Sequence, residues 1–549
     1  MKRKAISLLL VALTCATALT GCGGNDSKEG KGKKNNKESS TVSEDTVDEN
    51  GKVNGLMNKE GLPLVDNPGD YKFSIFVDNS NESDEFYMLN EFKEQTNVDV
   101  DLRRFPFETA TERLNLDLNS GDYADVLGGW TLSDSMILTY GVQQGVFIPL
   151  EDIFKNYCPN IERILDLPGV REQMTAPDGH IYGIPYVTGD TTVAYSPWIN
   201  ERWLKNVNKE MPKTTDEFED VLKAFKDQDA NGNGDPNDEI PFSADPNNKH
   251  IEAMAGYFGM PMNKYGVAVK DGKVVYGGAS KEYREFLSWF HKLFKEGLID
   301  TELFTQDSAT WEGKGNKDLY GSSIAYGSNE FSGIVMDDPT QKSEFSALPV
   351  LNTDKEGIWL RDTDGFSTFR AQAVITDNAK NPEIICRWFD NAFELENGIG
   401  CNKGPVGVNV IKEGEDYVIK DITTFPADEQ ERLSWGNLWI QELPKYLPAD
   451  FEFKEENPAY DEKKALEEQY EPDLTKDIIT DNWIPLEDID RFSDISTALT
   501  DYFNQQQAMF VMGEQDVDDD ASWDTYVEGL KSLGLEDWVK MRELDGIAE

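Results

Sequence analysis

Tyr71–Asp78 (YKFSIFVD) is apolar at most positions and runs into a polar stretch, Asn79–Ser83. That pattern predicts a buried opening strand followed by a turn. A helix is predicted over 85–95 and a second strand over Val98–Leu102. The loop that begins at Asn119 then leads to a third short strand over Ala124–Leu127. Strands that alternate with helices predict βαβ units and a parallel sheet. Ligands of such sheets gather beyond the C-terminal strand ends, and Asp78 and Trp130 both sit just past one.

Several helices are marked at their ends. Thr214-Thr215-Asp216-Glu217 reads as a capping box, with Phe218, Val221, Leu222 and Phe225 on one face of the helix it opens. Ser280 caps another, whose stripe is Tyr283, Phe286, Leu287, Phe290 and Phe294 and whose stop is Gly297. Trp523, Tyr526, Val527 and Leu530 repeat the pattern near the end. Such stripes are core before they are ligand sites. Trp435 and Trp439, four apart, are expected to share a core-facing helical side. No repeat at solenoid periods is visible.

The first 62 residues follow different rules. Met1-Lys2-Arg3-Lys4 is basic, and Ala5–Leu19 is apolar but too short for a stable membrane span. Leu19-Thr20-Gly21-Cys22 looks like a bacterial lipobox, so 1–21 is read as a leader and Cys22 as the diacylated first residue of the mature chain. Two acyl chains on one residue anchor stably where one would not. From Gly23 to about Leu62 large apolar side chains are scarce, and 22–62 is expected to be a disordered tether. The remainder, 63–549, is long enough for two lobes, each with its own core.

Charge narrows the partners. The formal net charge is −50, a field that repels nucleic acid and anionic headgroups. Of five cysteines, Cys15 leaves with the leader and Cys22 is lipidated. Cys158, Cys386 and Cys401 remain, and a Cys386–Cys401 disulfide is possible in an exported protein. No Cys-x-x-Cys pair exists for zinc. Three histidines, His180, His250 and His291, make a histidine-based triad improbable.

One stretch carries its own chemistry. From Asp227 to Glu239 (DQDANGNGDPNDE), oxygen-bearing side chains recur at every second position with glycines between them. A hard cation such as Ca²⁺ needs six to eight oxygens around one point, and this spacing can wrap them. Read as an EF-hand, Asp227, Asp229, Asn231, the Asn233 carbonyl, Asp235 and Asp238 would ligate, with Gly232 at the turn. The bland alternative is an acidic, glycine-rich turn without metal.

Several segments in order resemble extracellular solute-binding proteins of carbohydrate ABC importers, in the large lipid-anchored branch that includes alginate-binding proteins. They are Gly141–Leu150 (GVQQGVFIPL), Pro177–Pro185 (PDGHIYGIP), Pro197–Phe242 with its oxygen-rich loop, Lys281–Phe304 and Asp501–Leu535. The resemblance implies an α/β fold of two lobes with crossing strands (type II, Venus flytrap) that close over ligand. Crossings are expected near Ile184–Tyr195 and Phe366–Thr376, with a third between Asp450 and Asp481. Lobe 1 would be 63–190 with 367–480, and lobe 2 would be 191–366 with 481–549. The family register of the loop starts two residues later: Asp229, Asn231, Asn233, the Asp235 carbonyl, Asp238 and Glu239, with Gly234 at the turn.

The resemblance also implies a site. Sugars need flat aromatics and a rim of polar side chains. Trp130, Asp134 and Asp78 are the lobe 1 candidates; Tyr257, Asn329, Glu330 and Trp359 are those of lobe 2. The implied function is a monomeric, lipid-anchored receptor that delivers an oligosaccharide to membrane permease subunits, not an enzyme. A lipid-anchored glycoside hydrolase, or a receptor for peptides or other solutes on the same fold, stays open at this point.

Overall fold

The computed structural model describes residues 47–548 except 82, 84, 190–191, 246–249, 335–342, 364–365, 449–450, 452, 455–457 and 480–481. Cys22 and the leader lie outside the described residues.

The described chain opens on a hairpin of β1 (Lys52–Val53) and β2 (Met57–Asn58), paired antiparallel. It corrects the expectation that all of 22–62 is tether. Val53 and Met57 are fully buried in the first lobe's core, so sparse apolar residues suffice where each one is covered. β3 (Tyr71–Asp78) begins the sheet of that lobe, as its mostly apolar pattern predicts. α1 (Tyr87–Thr96), β4 (Val98–Phe105), α2 (Phe107–Ser120) and β5 (Val126–Gly128) follow. The sheet order is Ala373–Ile375, β5, β3, β4; the last three are parallel, and Ala373–Ile375 joins antiparallel to β5.

β6 (Tyr186–Gly189) leaves this sheet and pairs antiparallel with Phe366–Phe369, in the register Phe366↔Gly189 to Phe369↔Tyr186. The two expected crossings therefore hold each other as one ribbon. Beyond it, β7 (Ser196–Asn200) and β8 (Ile240–Ala244) enter a second sheet, ordered Phe345–Ala347, β7, Tyr320–Ala325, β8. Here β8 and Tyr320–Ala325 are parallel, so their C-terminal ends share an edge. Each sheet has its own core: Phe73, Ile75, Trp388 and Trp439 in the first lobe, and Phe218, Phe242, Phe286, Phe290 and Trp523 in the second.

The helix caps explain local order. Thr214 Oγ1 accepts the Glu217 N–H at 3.1 Å, while the Glu217 carboxylate reaches back to the Lys213 N–H at 2.8 Å. That return bond lands one residue earlier than a strict capping box requires. Ser280 Oγ accepts the Tyr283 N–H at 3.1 Å; Tyr283, Phe286, Leu287 and Phe290 of the stripe are buried, while Phe294 is only partly covered and Leu293 is buried in its stead.

Two further expectations need correcting, and the disulfide left open above does not form. Leu466 and Tyr470, on the helix Pro458–Tyr470, are buried in the second lobe's core, so the chain has left the first lobe well before residue 480. Trp439 is core, but Trp435 is exposed, because the helix Trp435–Leu438 stops after one turn and Trp439 is extended. The described cysteines, Cys158, Cys386 and Cys401, are free buried thiols. The neighbour of Cys386 is Cys158, whose thiol is pushed up by burial. No helix among the described residues is long and apolar enough to cross a membrane.

Candidate functional site

β3 and β5 run parallel and end side by side, and the first wall of the site is built where they stop. Gly129 follows β5 with φ +112°, and a Cβ there would lie 1.7 Å from Asp78 Oδ1. Only glycine fits. Asp78 is buried and accepts two backbone N–H groups, from Trp130 at 3.0 Å and Thr131 at 2.6 Å. Burial pushes its carboxyl up to about 6, against the pull of those two bonds. Asp78 is thus a scaffold for the Trp130 loop, which corrects its assignment as a ligand contact: both oxygens face the loop backbone.

Trp130 itself stands half in solvent, at 50% exposure. Its indole lies edge-on to Phe369, with ring centres 5.1 Å apart, and tilted toward Tyr186 at 6.3 Å. These two rings are opposite one another in the crossing ribbon. Polar groups surround them. Lys445 Nζ donates to the Tyr186 hydroxyl at 3.2 Å and to the Gln441 carbonyl at 3.1 Å. Asn79 donates to Glu442 at 2.8 Å, and Gln372 to the Glu442 carbonyl at 2.7 Å. A cavity of about 660 Å³ opens beside Trp130, lined also by Asp134, Phe369, Arg370 and Trp483. Asp134 is ion-paired with Arg370, whose guanidinium lies 4.3 Å over the Trp483 ring.

The second wall sits at the matching edge of the other sheet. Tyr195 stacks on His250 with ring centres 3.9 Å apart and 10° between planes. Tyr326 meets Tyr195 edge-on at 6.1 Å. Lys463 lies 4.0 Å over the Tyr326 ring and donates to the carbonyls of Ala194 and Tyr326. Glu330 accepts the Tyr326 N–H at 3.0 Å, and burial pushes its carboxyl up to about 7. Burial pushes His250 the other way, down to about 3, so its ring is neutral near pH 7. Asn329 is half-buried beside Glu330.

Two candidates are placed elsewhere. Tyr257 and Trp359 are fully buried against one another, 5.7 Å apart, and Trp359 also packs on Tyr470. The 3₁₀ helix Ile251–Phe258 turns Tyr257 inward, and Trp359 is held by backbone bonds with Asp473 and Thr475. Neither offers a face to a ligand. Sequence reasoning missed Tyr186, Phe369, Tyr195, Tyr326, His250 and the two lysines. Tyr186, Tyr195 and Phe369 lie within the segments read as crossings, which was the available signal; nothing in the spacing marks Lys445 or Lys463.

The oxygen-rich loop forms a compact turn. Asp229 Oδ2 accepts the Gly234 N–H at 3.0 Å, Asn231 Oδ1 the Asn233 N–H at 2.9 Å, and Asn233 Oδ1 the Asp235 N–H at 2.8 Å. Asp238 takes the amides of Asn231 and Asn233, and Glu239 Oε1 takes the Ala230 N–H at 2.8 Å. Asp229 Oδ1 and Glu239 Oε2 are left buried with no hydrogen-bond partner. Two orphaned anionic oxygens are costly unless a cation meets them, and they flank the loop at both ends. Asp227 is the last residue of the helix Thr215–Asp227. The register beginning at Asp229 keeps all of its residues in the loop. No three His, Cys, Asp or Glu side chains among the described residues gather as a metal group; amide and carbonyl oxygens would have to complete the shell.

Comparison with known proteins agrees with this architecture. Residues 87–334 match the family described as bacterial extracellular solute-binding protein. The chain is 29% identical, over 84% of its length and 87% of the relative, to the fructooligosaccharide ABC transporter substrate-binding protein FusA of Streptococcus pneumoniae. It is 26% identical to the lipoprotein LipO of Bacillus subtilis, over 83% of this chain and 88% of that one. The structure of FusA in complex with kestose superposes with a TM-score of 0.75 at 27% identity, covering 86% of this chain and 98% of that one. An EF-hand mutant of FusA in complex with fructo-nystose superposes at 0.74, with the same identity and coverage. FusA is a substrate-binding protein of an ABC transporter rather than an enzyme. Over residues 87–334 the chain thus matches the bacterial extracellular solute-binding proteins, and its fold is the two-lobe fold seen in the FusA structure.

Proposed function

We propose that the chain is a receptor held at the extracytoplasmic face of the membrane by acylated Cys22, which captures an oligosaccharide between its lobes and hands it to ABC importer permease subunits. The observation that carries this reading is the half-exposed Trp130, fixed by buried Asp78 and flanked by Tyr186, Phe369, Lys445 and Glu442. An aromatic face ringed by polar groups suits the apolar face and hydroxyl rim of a sugar. The likeness to FusA supports an oligosaccharide, and the likeness to LipO supports a lipid anchor. Ca²⁺ in the register Asp229, Asn231, Asn233, Asp235 carbonyl, Asp238 and Glu239 would pin the loop, not react. The protein acts as a monomer in this reading.

Calorimetric titration with kestose, longer fructans and oligogalacturonates tests it. One of these series is expected to bind with the sugar recovered uncut, and Trp130→Ala is expected to weaken that binding at least tenfold. No heat from any series, or release of shorter products, would sink the reading.

A further inference from the structure

Trp130 and Trp435 are the two tryptophans among twelve that stand open to solvent, at 50% and 53% exposure. Both are fixed by the same short loop. Asp78, the last residue of β3, bonds the Trp130 backbone. Asn81, three residues on, donates to the Gly436 carbonyl at 2.6 Å and to Asn437 at 3.1 Å, directly beside Trp435. Three residues of chain reach at most about 11 Å, so the anchor points of the two indoles are separated by the span of a few sugar rings. Between them lies the Asn79–Glu442 pair. The Trp435 backbone is tied in turn, its carbonyl accepting from Gln441 at 3.0 Å. A large apolar ring is thus presented to solvent by a hydrogen-bonded backbone.

We infer that Trp435 forms a distal subsite, and that the ligand is an oligosaccharide long enough to run from Trp130 across the end of β3 to Trp435. This rests on the sugar reading and adds chain-length selectivity to it. The chain passes over the loop that Asp78, Asn79 and Asn81 hold in place, with one indole at each end. A short sugar needs only the Trp130 end; a longer one gains a second stacked ring.

The test uses the full chain and Trp435→Ala, whose open side chain can be removed without opening the core; unchanged melting confirms that the fold is kept. Fructan, maltooligosaccharide and oligogalacturonate ladders of three to seven units are titrated against wild type and variant. In the ladder that binds, wild-type affinity is expected to rise with length. Trp435→Ala should leave the three-unit member within twofold and weaken the longest members roughly tenfold, the order of one stacked ring. Trp435→Phe should restore most of the loss. Equal affinities for Trp435→Ala and wild type at every length would overturn the subsite. Loss of uptake in cells with unchanged sugar affinity would overturn it too, and would assign Trp435 to the permease-facing surface. Failure of the wild type to bind any ladder would overturn the sugar reading and this one with it.

Discussion

At the scale of single residues, the site depends on Gly129. Its φ of +112° is closed to side chains, and the room a Cβ would need is filled by the Asp78 carboxylate, which anchors Trp130. Gly129→Ala forces either the backbone out of its conformation or Asp78 out of its two hydrogen bonds. A strained conformation of this kind costs about 1–3 kcal/mol, and displacing a buried carboxylate from its donors adds to it. Gly129→Ala is therefore expected to lower unfolding free energy by about 2–3 kcal/mol in urea titrations and to weaken sugar binding through Trp130. A variant with wild-type stability and affinity would mean that the loop is not fixed as described. The glycine was readable in the sequence only as part of a loop; that Asp78 is its partner follows from the parallel pairing of β3 and β5, which no local pattern states.

At the scale of elements, legibility followed periodicity. The helix Thr215–Asp227 was readable because burial on one face writes itself into spacing, and the strand Tyr71–Asp78 because burial on both faces leaves a mostly apolar run. Tyr257 and Trp359 were not, because a 3₁₀ helix and an irregular segment carry no period that tells inward from outward. The Trp435–Trp439 pair failed for a related reason: i, i+4 spacing predicts one face only if the helix continues, and it ends at Leu438. The loop after the helix Thr215–Asp227 was legible as chemistry, through oxygen-bearing side chains at every second position. Asp229 Oδ1 and Glu239 Oε2 are buried without partners, so a bound Ca²⁺ would relieve both. Chelator is expected to lower the melting temperature while sugar still binds the folded protein, because the loop lies apart from the aromatic walls. Asp229→Ala should melt at the same temperature with and without chelator. A wild type indifferent to chelator would leave the loop a plain acidic turn.

At the scale of the whole molecule, charge sets the response to pH. Burial raises the carboxyls of Asp78 and Asp390 to about 6 and that of Glu330 to about 7. Between their ordinary range near 4 and these raised values, the folded chain holds protons that the unfolded chain has already released. Stability must then fall as pH rises through that window. His250 works in the opposite sense: its pKa is lowered to about 3 in the fold, so the unfolded chain gains a proton below about 6.5 and stability drops on acidification. One imidazole opposes three carboxyls, and the net charge of −50 adds self-repulsion that weakens as carboxylates are neutralised. Asp66, Glu219 and Asp307 are lowered instead, chiefly by side-chain hydrogen bonds that outweigh desolvation at Glu219, and their contribution is lost only as pH falls below the ordinary carboxyl range. The denaturant midpoint is therefore expected to climb from pH 8 down to about pH 5 and to fall again below about pH 4. Glu330→Gln should flatten the upper part of that climb, near pH 7, without moving the acid limb. A midpoint that rises steadily from pH 5 to pH 8 would show that the buried carboxyls are ionised at no cost, and that the walls of the cleft are wetter than their packing implies.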